Sequence, residues 1–89
     1  MEEEQLRRTL DELDHEIETN PELALKERER LQHLAREIED LLGEKEPPRE
    51  HIEAINDRLE IEAIEFQDAH PALAETLNEL LSILSTAGI

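Results

Sequence analysis

Leu6, Leu10, Leu13 and Ile17 recur at intervals of four, three and four. At about 100° per residue they fall in one narrow arc, so the spacing predicts a helix over about 2–19 with a coiled-coil-type seam. Its acidic start suits the positive end of a helix dipole. Thr19-Asn20-Pro21-Glu22 interrupts the pattern, with Asn20 suited to cap a helix and Pro21 to open one. A second helix is predicted over about 21–42, with Ala24, Leu31, Leu34, Ala35, Ile38, Leu41 and Leu42 on its stripe. Leu25 lies off that stripe, which points to a start one turn after Pro21. Gly43 reads as its C-terminal cap. So short a connection between two helices implies an antiparallel hairpin.

Gly43 to Pro48, the run GEKEPP, is a second break, and Pro48 is placed to open a third helix. From Arg49 the stripe is Ile52, Ile55, Leu59, Ala63, Phe66, His70, Leu73, Leu77, Leu80, Leu81 and Leu84. These positions share one arc of about 100° on an ideal helix, and the phase survives Pro71. Pro71 nevertheless removes the hydrogen bond to the carbonyl of Gln67 and disfavours helical geometry at His70. Asp68 is available to cap a new helix there. Two readings fit: one long helix kinked at His70-Pro71, or two helices, about 49–67 and 71–87, with a tight corner. A real but short break is the preferred one. Gly88-Ile89 reads as a helix stop in which Ile89 folds back onto Leu84.

The expected architecture is therefore all-α, a single domain over 1–89. It is an N-terminal antiparallel hairpin followed by a long helix kinked or broken near His70-Pro71, in a small coiled-coil-like bundle. Composition agrees. Val, Trp and Tyr are absent, which disfavours strands, and Leu, Glu, Arg and Ala dominate. The chain is short for a self-sufficient core. Fifteen Leu, eight Ile and one Phe give a burial gain that only roughly matches the cost of ordering the chain. Self-association into a homodimer is the expectation. Its interface would be the apolar band Phe66, His70, Leu73, Leu77, Leu80, Leu81 and Leu84, which looks longer than the first two helices can cover.

Charge narrows the function. Twenty-five acidic residues against nine basic ones give a net charge of −16. Phosphate backbones and anionic lipid surfaces would both be repelled, so direct nucleic-acid or membrane binding is not expected. The acids are concentrated before Phe66, since only Asp68, Glu75 and Glu79 follow it. There is no Cys, so disulfides and thiolate chemistry are excluded. The acidic start carries no secretory signal pattern and no stretch approaches a membrane span, so a cytoplasmic location is expected.

The Leu6-Arg7 to Glu18 run, the Leu31–Leu42 stripe, and Phe66…His70-Pro71-x-Leu73…Leu77-Asn78…Leu84…Gly88-Ile89 together resemble DUF4404, a family of small bacterial proteins described as a domain of unknown function. The likeness covers nearly the whole chain, and its His-Pro and Gly-Ile pairs are the most specific part. The chain departs from the family pattern at Ala24, where a polar helix-starting residue is usual. The resemblance implies a small cytoplasmic bacterial protein and carries no activity, cofactor or catalytic residue.

Candidate chemistry is sparse. Glu12-x-x-His15 has the spacing of carboxylate-bridged di-iron bundles, but such sites project inward and this pair falls outside the Leu6–Ile17 seam. Glu29, His33 and Glu37 are spaced as ordinary surface pairs, without the further ligands zinc needs. His70 lies on the apolar stripe and is expected to cap or hydrogen-bond the proline corner, the sharper alternative being a pH-sensitive contact. No acid–base pair, nucleophile or phosphate-binding loop is identifiable, so no enzyme activity, metal or cofactor is expected. The expected function is a protein–protein interaction or structural module acting through helix surfaces. The alternative is an acidic nucleic-acid mimic that sequesters a basic DNA-binding protein. The interleaving of acids with Arg and Lys across residues 26–36 favours the first.

Overall fold

A computed structural model describes residues 2–87. It contains four helices of nearly equal length: α1 Glu2–Thr19, α2 Leu25–Leu42, α3 Arg49–Phe66 and α4 Pro71–Ala87. There is no strand among the described residues. The Gly88-Ile89 stop lies outside them.

Eighteen helical residues span about 27 Å. The connections, residues 20–24, 43–48 and 67–70, are too short to carry the chain back along such a length and restart in parallel. Neighbouring helices must therefore run antiparallel, and α1 packs on α2, α2 on α3 and α3 on α4. α4 also packs on α1, which closes the ring into a four-helix bundle of 37 × 20 × 19 Å. The seam of α1 becomes the core through Leu6, Leu10, Leu13 and Ile17. Leu31, Leu34, Ala35, Ile38 and Leu41 do the same for α2, and Ile55, Leu59, Ala63 and Phe66 for α3.

Of the two readings open at His70-Pro71, the structure takes the preferred one, two helices with a tight corner: the chain does not continue as one kinked helix but reverses. Gln67 to Ala69 form a turn, in which the His70 N–H still donates to the Phe66 carbonyl at 2.8 Å. The His70 carbonyl then accepts the first bond of α4, from Ala74 N–H at 3.0 Å. Pro71, which has no N–H to lose, takes the first helical position. Asp68, available to cap this helix, is exposed in the turn, and the N-cap position falls to His70. The continuous stripe across Pro71 thus serves two helices, each burying its own half.

α2 begins at Leu25, one turn after Pro21, the later start to which the position of Leu25 off the stripe points. The Asn20 side chain explains this: its Oδ1 accepts the Glu22 N–H at 3.0 Å, a side-chain turn that competes with helix formation. Residues 21–23 become a short turn that tucks Leu23 into the end of the core. Ala24 is the N-cap and has no side-chain acceptor to offer. Only half a capping box forms, from the Ala24 N–H to Glu27 Oε1 at 3.0 Å. Arg28 compensates across the connection. Its guanidinium donates to the carbonyls of Ile17 and Asn20, the latter at 2.9 Å. α1 has no basic residue in its own last turn, so α2 supplies the cation its negative end attracts.

Gly43 caps α2 in the right-handed region, with φ −79° and ψ −11°, where any L-residue fits. A Cβ built there meets only the Asp40 carbonyl, at 3.5 Å, an ordinary contact. Gly43→Ala should therefore stabilise the fold by about 0.4–1 kcal/mol by restricting the unfolded chain. Leu77→Ala, at a fully buried position, should cost about 2–5 kcal/mol. Urea unfolding followed by circular dichroism measures both. A loss of stability in Gly43→Ala would contradict the right-handed cap.

Candidate functional site

The apolar band expected to form a dimer interface is placed elsewhere. Phe66, Leu73, Leu77, Leu80 and Leu84 are buried in the chain's own core, and Leu81 and His70 are half-buried at its margin. α1 and α3 cover the band between them, because α4 reverses into the groove they form. The premise of an open band fails, since α4 buries its face within the chain. A dimer seam on these leucines would first require opening the bundle.

His70 instead ties two connections together. Asn20 Nδ2 donates to His70 Nδ1 at 3.2 Å, across fifty residues of sequence. The Asn20 amide cannot turn over to serve this bond differently, because its Oδ1 already holds the Glu22 N–H. His70 Nδ1 is thus the acceptor, and the ring proton sits on Nε2. The ring also stacks obliquely on Phe66, with centroids 5.8 Å apart. Beside it a shallow cleft of about 400 Å³ opens between the α1 end and the start of α4, lined by Glu16, Thr19, Asn20, His70 and Pro71 among others.

Next to that cleft, α1 and α4 bring four carboxylates together: Glu12, Glu16, Glu75 and Glu79 line a depression with Ala72 and Thr76. Glu16 Oε1 is buried without a hydrogen-bond partner. A hydrogen bond from the Thr76 side chain to this carboxyl offsets only part of the cost. Burial therefore holds the Glu16 carboxyl above its usual range, with like charge from Glu12 and Glu75 adding to the effect. Asp14, facing α2, is raised for the same leading reason and by Glu39, Asp11 and Glu18. Glu12 lines this groove while His15 is exposed. Among the described residues no group of three or more His, Asp or Glu is disposed to hold a metal ion.

Cations sit at the α2–α3 seam. Arg30 Nη2 donates to Glu62 Oε1 at 3.0 Å and reaches Glu65 at 3.5 Å, and its guanidinium carbon lies 5.8 Å from the centre of the Phe66 ring. The hydrogen bond to buried Glu62 raises the Arg30 pKa. Arg58 pairs with Glu37, and His33 Nε2 lies 3.9 Å from the same carboxylate.

The outer surface carries a feature the stripes do not announce. Ile61 and Ile64 are 57% and 67% exposed, and Leu25 is 71% exposed. On α3 the two isoleucines stand about 140–160° round from core-facing Leu59. The available signal was their position off the stripe in an otherwise acidic run, Glu60-Ile61-Glu62-Ala63-Ile64-Glu65.

In class this is a closed four-helix bundle with a filled interior and an acidic exterior. Residues 6–89 match the family described as Domain of unknown function (DUF4404), and the chain belongs to that family. No curated protein and no solved structure matches it. No helix among the described residues is long and apolar enough to cross a membrane.

The raised carboxyls set a pH dependence. Their folded pKa values lie above the ordinary 3.8 of Asp14 and 4.5 of Glu16, so the folded chain binds protons more readily than the unfolded one. Their stabilising contribution is complete below those ordinary values and is lost as pH rises through the raised ones. Glu16→Gln should accordingly melt higher than the unaltered chain at pH 7, the gap narrowing toward pH 4.5. A lower melting temperature for the variant at pH 7 would show that the charge of Glu16 supports the fold.

Proposed function

We propose that the protein is a protein–protein interaction module that works through its outer helix surfaces. The observation that carries this reading is the exposure of Leu25, Ile61 and Ile64 on a bundle whose interior is already filled by its other large aliphatic side chains. Apolar groups in the core are explained by folding; these three contribute nothing to it. A neighbouring protein surface would remove them from water, at roughly 1.5–3 kcal/mol for each side chain fully buried.

The clefts support the same reading. Both are shallow and open; the polar lining of one is Glu16, Thr19, Asn20 and His70, and the other gathers carboxylates that repel one another. Nothing in them pairs a nucleophile with a base. A nucleic-acid mimic is the less favoured reading because the exposed carboxylates are spread over all four helices, from Glu3 and Asp11 to Glu75 and Glu79.

The test is capture by the purified chain from an extract of its native host, with cross-linking and mass spectrometry. A discrete partner should be retained at high salt and lost when Leu25, Ile61 and Ile64 are all replaced by Ser. Equal capture by that variant would refute a role for the exposed apolar groups. Capture abolished by salt alone would instead favour the mimic.

A further inference from the structure

Of the exposed apolar groups, Ile61 and Ile64 share one helix face, the side of α3 turned away from the core. The residues around them on that side are Glu53, Asp57, Glu60 and Asp68, all exposed. Among the described residues none of these four carboxylates has an ion-pair partner: Arg30 and Arg58 are committed to Glu62, Glu65 and Glu37, and Arg49, one turn before Glu53 on α3, does not pair with it. The face is therefore an aliphatic ridge with an unneutralised acidic rim.

This combination selects its occupant. A second copy meeting it about a two-fold axis would set the same carboxylates against each other, in a chain already at −16. A partner with apolar anchors and basic flanks satisfies both parts at once, burying the isoleucines and neutralising the rim. Anchors must match two side chains three residues apart on a helix, the spacing that an amphipathic helix laid alongside provides. We propose that the outer face of α3 is a docking site for a basic amphipathic helix of a partner protein, which would lie against the bundle as a fifth helix. This rests on the interaction-module reading and specifies its surface and partner chemistry.

The chain has no Trp or Tyr, so a synthetic amphipathic helix of Leu, Lys and a single Trp can be followed by its own fluorescence. Titration with the intact protein should give a saturable blue shift at one peptide per chain. Ile61→Ser with Ile64→Ser should leave the melting temperature nearly unchanged and weaken binding by more than about tenfold, as two buried aliphatic groups require. Neutralising Glu53, Asp57 and Glu60 to Gln, Asn and Gln should weaken binding and flatten its salt dependence. Glu29→Gln, on the exposed side of α2, should change little. Binding unaffected by the isoleucine pair, or equal binding of the same peptide with Glu in place of Lys, overturns the proposal. So does light scattering that shows a dimer which Ile61→Ser and Ile64→Ser dissolve, since a second copy would then be the occupant. A host partner captured equally by the Ile61→Ser, Ile64→Ser pair yet lost with Leu25 also replaced would overturn this site while leaving the module reading intact.

Discussion

Leu73, Leu77, Leu80 and Leu84 bury themselves in the groove between α1 and α3, and the other features of the bundle serve that burial. Without α4 the seam of α1 and the inner face of α3 would each have one neighbour and one wet side. Their full burial, with Leu13 and Leu59 inaccessible to solvent, follows from the ring being closed. The closure depends on the reversal at residues 67–70, where Pro71 is harmless because the first residue of a helix needs no N–H. Small side chains contribute as well: Ala74 and Thr76 on α4 and Ala63 on α3 are buried. A wider residue at these positions would push helices apart and strain the packed interior.

A chain with nine cations and twenty-five acids must place the cations where they matter. Three arginines sit where two elements meet. Arg28 closes the carbonyl end of α1, Arg30 pairs with buried Glu62, and Arg58 joins α3 to α2. As surface ion pairs, the Arg30 and Arg58 contacts are worth little. The value of all three arginines lies in satisfying groups that would otherwise be buried or left unpaired at a helix end. Uncompensated acids lie on every helix, those on the outside of α3 and in the α1–α4 groove among them, and Glu16 shows the cost of carrying one partly inside.

The helical class and most of the core side chains were legible from periodicity, because Leu and Ile repeating every 3.6 residues place one apolar face on a helix and on no other regular element; Leu23, Ala74 and Ile83 joined the core from off the stripes, and Ala24, placed on one, is exposed. Every position on the stripe from Ile52 to Leu84 is buried or half-buried. The path of the chain was less legible. A stripe in constant phase across Pro71 is compatible with a straight helix, a kink or a reversal, and only the packing of α4 onto α1 and α3 distinguishes them. For the start of α2 the signals conflicted: Leu25 off the stripe pointed to the later start, while Asn20 is equally suited to capping a helix and to forming its own turn; here it does the second. The outward face of α3 was hidden for the opposite reason. A single apolar arc leaves out the residues that fall off it, and Ile61 and Ile64 fall well off it. The α4 band resembled an open interface because its cover comes from α1 and α3 together, and a linear stripe does not reveal how many helices share it.

The Asn20–His70 bond divides the molecule into two unlike ends. One end holds both the 20–24 and 67–70 connections, clasped to each other by that bond and plugged by Leu23. The opposite end holds the 43–48 connection and the limits of the described chain, at Glu2 and Ala87. Anything joined to the bundle at either limit therefore leaves from the same pole. The sides of all four helices, including the ridge on α3, then stay clear of the tether, much as the blades of a tool stay clear of its handle.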